Sequence, residues 1–173
     1  MMLSRISNRA AFPVSRGIRS VRCFASADPT LNVSKCVDKA HEGKTFKQIV
    51  KLHPGALQGL KEGVADEMLA TLGVKTIKDL AKWKHYRLAK AIAVLADTEV
   101  EGKRVEGSAA NVNSGVDKAF EGASFTQLLA APPSVLQGLA PWSIKDLSKW
   151  KFARWAEALV VAAEFENDEG GSR

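Results

Sequence analysis

Few side chains in this sequence stand at spacings that do chemistry. "DKAHEG" places Asp38, His41 and Glu42 within five residues. On a helix, Asp38 and His41 are one turn apart, a separation that gives a surface contact more readily than an acid–base pair. His41, His53 and His85 lie far apart, and none has the spacing of a zinc-binding pair. Cys36 has no cysteine neighbour, since the second one, Cys23, falls in the N-terminal leader. There is no strained serine elbow and no glycine-rich phosphate loop ending in Lys. The sequence therefore nominates no catalytic residue, no metal ligand and no cofactor. What remains is the chemistry of cation and ring. The triplet Lys-Trp-Lys occurs at 82–84 and again at 149–151. A tryptophan between two lysines is suited either to stacking on a nucleobase or to anchoring a core with its neighbours in water. Helical spacing from Leu80 favours the anchor for Trp83.

The elements that carry these residues read as helices throughout. "TFKQ" (45–48) and "SFTQ" (124–127) have the form of capping boxes, and Thr76 or Ser143 opens a further helix with Asp79 or Asp146 at its third position. That helix is expected to run on through Leu80, Leu88, Ala91, Ile92 and Leu95. An earlier helix is expected from Asn32 or Asn111, carrying Val33, Val37 and Ala40 and ending at Gly43 or Gly122. No segment alternates like a strand. The fold class expected is all-α.

The same elements occur twice. Residues 31–60 align without a gap onto 110–139, with fifteen of thirty positions identical, and "TIKDLAKWKHYRLAKAI" is matched by "SIKDLSKWKFARWAEAL". Such self-similarity marks a duplicated unit. The expected organisation is two tandem related small helical bundles: a first copy at 31–96, a linker at 97–109 and a second copy at 110–163, followed by an acidic tail at 164–173. The second copy lacks twelve residues that the first carries between Leu60 and Ile77, about three helical turns. Leu139, Pro141 and Trp142 stand at that gap. The apolar surface left there is the expected docking point for a protein partner.

In the first copy, "LQGLKEGVADEML" (57–69) resembles the helix-hairpin-helix family. Leu57, Gly59, Leu60, Ala65 and Met68 occupy that signature's hydrophobic, Gly, hydrophobic, Ala and hydrophobic positions. The resemblance covers about 40 residues, roughly 57–96. It implies a helix, a tight turn at Gly59 and a second helix, with backbone N–H groups at the turn able to hold a phosphate. Lys61 stands where the family has its second hairpin glycine, and Glu62, Asp66 and Glu67 follow. On this resemblance the nucleic-acid-binding residues are Gly59, Lys61, Gly63, Lys75, Lys78, Lys82 and Lys84. The first copy holds 12 basic against 6 acidic residues and the second only 5 against 4, which assigns any such binding to the first copy.

The net charge of +6 is mostly a property of the leader. Its first 24 residues hold five Arg and no acid, leaving 20 basic against 19 acidic residues in the rest. An acid-free, Arg-rich start with Arg22 three residues before Ala25 reads as a presequence at 1–24 directed to the mitochondrial matrix, or alternatively the plastid stroma. No apolar run approaches the roughly 20 residues of a membrane span. The expectation is a non-catalytic binding or assembly module, an accessory component of an organellar complex with a protein partner. The alternative is an organellar DNA- or RNA-binding protein that uses the hairpin and the lysine-rich face of the first copy.

Overall fold

The structure, a computed structural model, describes residues 33–60, 62–100, 102–105, 107–132, 135–136 and 143–167. The leader, Lys61, Leu139, Pro141 and Trp142 lie outside them. The protein is all-α. Seven α-helices follow in order: α1 (Phe46–Ile49), α2 (Glu62–Thr71), α3 (Ile77–Lys82), α4 (Lys84–Ala96), α5 (Phe125–Ala130), α6 (Ile144–Ser148) and α7 (Lys151–Glu164). Short 3-10 turns stand at Lys39–His41, Pro54–Ala56, Asn113–Gly115 and Lys118–Phe120. Among the described residues, the extended pairing is limited to two isolated antiparallel bridges, Val37 with Leu57 and Val116 with Leu136.

Helix starts follow the local chemistry. Thr45 and Ser124 accept from the backbone N–H of Gln48 and Gln127, and each Gln accepts in return from the cap's N–H, completing both boxes. Thr76 and Asp79 form a third box, and Ser143 accepts from the Asp146 N–H. The helix expected at the start of each copy is absent. Residues 33–36 form a turn, Val37 makes a bridge, and only a single 3-10 turn follows. Asn111 accepts from the N–H of Asn113 at 3.3 Å, so it shapes a turn and caps no α-helix.

The long helix expected after Thr76 is broken. Trp83 has φ −59° and ψ 120°, an extended conformation that ends α3 and begins α4. Trp150 does the same between α6 and α7. The breaks redirect the long helices: α3 packs on α7, α4 on α5 and α6, and α1 on α7. The described helices thus share one core instead of sorting into two bundles. Val37, Ile49, Leu57, Leu69, Ile77, Leu80, Tyr86 and Ile92 from the first half join Leu128, Leu136, Ile144, Leu147, Ala153 and Ala156 from the second. The redirection also changes which face of α4 is covered. Tyr86, Ala89 and Ile92 are buried, while Ala91 and Leu95, on the apolar face that the sequence spacing outlines, are exposed.

Two carboxylates tie the halves together reciprocally. Beyond α4, Glu99 accepts from the N–H groups of Phe125 and Thr126 at 2.6 and 2.8 Å, capping α5. Beyond α7, Glu166 accepts from Phe46 and Lys47 at 2.8 Å each, capping α1. The segment expected to be a linker is likewise fastened. The Gly102 carbonyl accepts from the Ser124 hydroxyl at 2.9 Å, and Arg104 donates to the Glu121 carbonyl at 2.5 Å.

Candidate polyanion interface

The corner at Trp83 is built from α3 upward. The N–H groups of Ile77 and Lys78 donate to the carbonyls of Leu52 and Val50, which seats the start of the helix. The Thr76 hydroxyl hydrogen bond, followed by backbone N–H bonds and Lys75, holds the Asp79 carboxyl below its usual range despite some burial. Ile77, Leu80 and Ala81 bury one face. Lys78 and Lys82, four residues apart, share the opposite face and are exposed.

At the end of α3, Trp83 is 7% exposed, so the sequence reading of it as a core anchor holds. Its neighbour in the core is the other triplet's tryptophan. The rings of Trp83 and Trp150 meet edge to face with centroids 6.1 Å apart. From this pair a run of edge-to-face contacts extends both ways. His85 lies 5.4 Å from Trp83. Phe152 lies 5.9 Å from Trp150, and Trp155 lies 5.8 Å from Phe152. Trp150 and Trp155 keep part of their surface in solvent. The Lys151 ammonium sits over Phe152 and Trp155, 4.7 and 5.2 Å from their centroids, a cation–π arrangement.

Around this aromatic run the charge is of one sign along both chain segments. Lys82, Lys84, Arg87, Lys149, Lys151 and Arg154 are all exposed and lie within four residues of one of the two touching tryptophans. No acid occurs in 80–96 or in 147–156. Cations held together in excess of the acids beside them repel one another, so an anion bound among them relieves that repulsion. Asp79 and Asp146 stand just before these windows, in the first turns of α3 and α6, and each serves its own helix start. Just beyond the second window on α7, Glu157 is engaged by Tyr86 and Lys90 at 2.9 and 2.6 Å. Burial acts to raise the Glu157 carboxyl, and hydrogen bonds from Lys90 and Tyr86 outweigh it and hold the carboxyl low.

The residues nominated from the sequence separate on this geometry. Lys82 and Lys84 belong to the basic corner, and Lys78 stands one turn back along α3. Lys75 precedes that helix, is exposed, and uses its own N–H on Asp79 at 3.3 Å. Gly59 has φ +88°, a conformation that favours glycine, and a Cβ there would lie 3.8 Å from the Lys151 ammonium. The turn therefore sits beside the basic corner, although a 3-10 turn and not an α-helix leads into it. Gly63, at the start of α2, is exposed with nothing close to it. Lys61, Leu139, Pro141 and Trp142 fall outside the described residues.

Charge counting by copy passed over Lys149, Lys151 and Arg154, and the nominated set left out Arg87. The signal available was the identity of the two Lys-Trp-Lys triplets within acid-free windows. The histidines do not converge. His53 accepts from the Gly55 N–H at 3.1 Å and meets Asp66 at 3.2 Å, which ties the 3-10 turn to α2. Among the described residues, no three His, Cys, Asp or Glu side chains group as metal ligands, and no helix is long and apolar enough to cross a membrane. The Cys36 thiol is half-buried, and burial pushes its pKa up, away from the thiolate form. No protein-family model, curated protein or solved structure matches the chain.

Proposed function

We propose that this is a non-catalytic nucleic-acid-binding protein that takes a single strand on the basic corner around Trp83 and Trp150. The observation that carries the reading is six exposed cations within four residues of two touching tryptophans, in a run of edge-to-face aromatics that includes the partly exposed Trp150 and Trp155, with no acid in 80–96 or 147–156. Lysine and arginine supply sequence-independent attraction to phosphates. Partly exposed tryptophans supply ring faces on which unpaired bases stack. The Gly59 turn beside Lys151 offers backbone N–H groups to the same strand, as the helix-hairpin-helix resemblance implies. The finer fold reading is two copies of one helical unit, the second lacking a hairpin helix. What supports it is that Glu99 and Glu166, and the bridges at Val37 and Val116, stand at matching positions of the two aligned segments. The acid-free leader supports work in the mitochondrial matrix, and an organellar form beginning at Met1 rather than near Ala25 would remove that support.

Fluorescence anisotropy with a labelled 20-nucleotide single strand tests the binding. With about four phosphates engaged, log K is expected to fall with log salt at a slope near −3. Lys149→Glu with Lys151→Glu is expected to weaken binding at least tenfold, and Lys44→Glu with Lys103→Glu, exposed residues near the far ends of α7 and α4, much less. No binding at low salt, or equal loss in both variants, would refute the reading. The assembly reading is favoured by a separate observation. Val94, Leu95, Val161 and Phe165, at the far ends of α4 and α7, are 58%, 41%, 49% and 82% exposed, as a contact with a protein partner would require. Failure of the strand to bind, with a partner captured from organelles through these residues and lost on Val94→Asp, would establish that reading in its place.

A further inference from the structure

The two aligned halves meet at equivalent positions. Trp83 and Trp150 correspond in the alignment, and so do Lys90 and Glu157. Each pair is in contact: the rings at 6.1 Å, the ion pair at 2.6 Å. The helix pairings follow the same rule, because α1, α3 and α4 correspond to α5, α6 and α7. The packing of α4 on α5 and α6 is then matched by that of α7 on α1 and α3. The Glu99 and Glu166 caps are matched in the same way. These matched contacts would serve equally well if two first halves or two second halves came together.

At two positions, however, the halves differ in complementary ways. Lys90 faces Glu157, whereas like halves would set Lys against Lys or Glu against Glu. Tyr86 is fully buried and its hydroxyl donates to Glu157 at 2.9 Å, while the corresponding residue of the second half is Ala153, also fully buried. Glu157 lies one turn beyond Ala153 on α7, and both Tyr86 and Ala153 are fully buried. Two first halves would bring two phenols and two ammonium groups to this place. Two second halves would bring two alanines and two carboxylates, leaving a void and an unpaired charge.

We infer that the fold is a fused heterodimer, in which the halves on either side of Ser108 recognise each other and discriminate against pairing with their own kind through Tyr86, Lys90, Ala153 and Glu157. The matched contacts supply affinity and these four residues supply specificity, by disfavouring the wrong pairs. The inference is independent of what the basic corner binds.

The test uses the full chain with a protease site inserted between Ser108 and Ala109, both exposed, and cut after folding. The pieces are expected to elute as one complex. After unfolding and refolding together, native mass spectrometry is expected to find one of each piece, with like pairs under a tenth of the total. Glu157→Lys in the cut chain is expected to weaken the association more than tenfold, and Lys90→Glu added to it to recover most of the loss. In the intact, uninserted chain, urea midpoints of the two single variants and the double variant should show the same rescue. Separation of the pieces on cutting, or like pairs as frequent as unlike pairs, would overturn the inference. Simple additivity of the two charge reversals would overturn the assigned role of Lys90 and Glu157.

Discussion

Glu99 shows how a single carboxylate outside the core fixes a helix in the other half. Burial would raise its pKa, but hydrogen bonds from Thr126 and Phe125 outweigh that and hold it below the usual 4.5. A carboxyl depressed in the folded state contributes stability that is complete above its unfolded pKa and lost as pH falls through the folded one. Glu99→Gln is therefore expected to cost about 1 kcal/mol at pH 7, in the range of lost helix caps, and progressively less as pH falls through the depressed folded-state pKa. Urea unfolding as a function of pH measures this. A deficit that does not change with pH would mean that the carboxylate charge is not what caps α5. Tyr86 sits in the opposite electrostatic situation: burial pushes its phenol up, the Glu157 carboxylate adds to this, and the phenol stays a donor. None of these long-range partners could be read from the sequence, since Glu99 and Phe125 are 26 residues apart and no local rule pairs them.

At the scale of elements, the breaks at Trp83 and Trp150 matter most. A helix continuing through Lys82 and Lys84 would be consistent with propensity, because neither Pro nor Gly interrupts it. The break is instead stabilised by the burial of Trp83 against Trp150, a non-local term that outweighs a few tenths of a kcal/mol per residue of helix preference. By contrast, the described side chains of α2 meet the rest of the protein through the 3-10 turn at Pro54–Ala56, the exposed His53–Asp66 contact and the buried Leu69. Gly63 lowers the helix preference of α2, which should open locally at lower free energy than α4 or α7. Amide exchange is expected to show α2 protected at least tenfold less than the Ala89–Ile92 turn of α4. Equal protection would show that α2 belongs to the same cooperative unit. The sequence between Leu139 and Ile144 is twelve residues shorter than that between Leu60 and Ile77, which fits an element peripheral to the shared core.

Over the whole molecule, the crossing of the helices removes the basis for two independently stable bundles. Ile92 of α4 and Leu147 of α6 are both fully buried in one core. Unfolding the second half would strip α4 of the helices it packs on. One cooperative transition is expected, with tryptophan fluorescence and far-UV circular dichroism tracing the same urea curve. Leu147→Ala, in the second half, should lower the midpoint for both signals, by about 2–5 kcal/mol of stability. Two separated transitions would mean that each half keeps a core of its own.

The sequence by itself determined what depends on neighbours three or four residues away. The Thr45, Thr76, Ser124 and Ser143 caps are written in adjacent residues, and so is the turn at Gly59, where the backbone conformation selects glycine. The all-α class follows from the same local signals. The tertiary structure alone decided which apolar face meets which, because burial is non-directional and any helix stripe can satisfy another. It bent the chain at two tryptophans, sent α4 and α7 across to the opposite halves, and turned a presumed linker and tail into reciprocal caps. It also brought two Lys-Trp-Lys triplets from opposite halves to one corner, so that the charge counted within the first copy became part of a surface built from both.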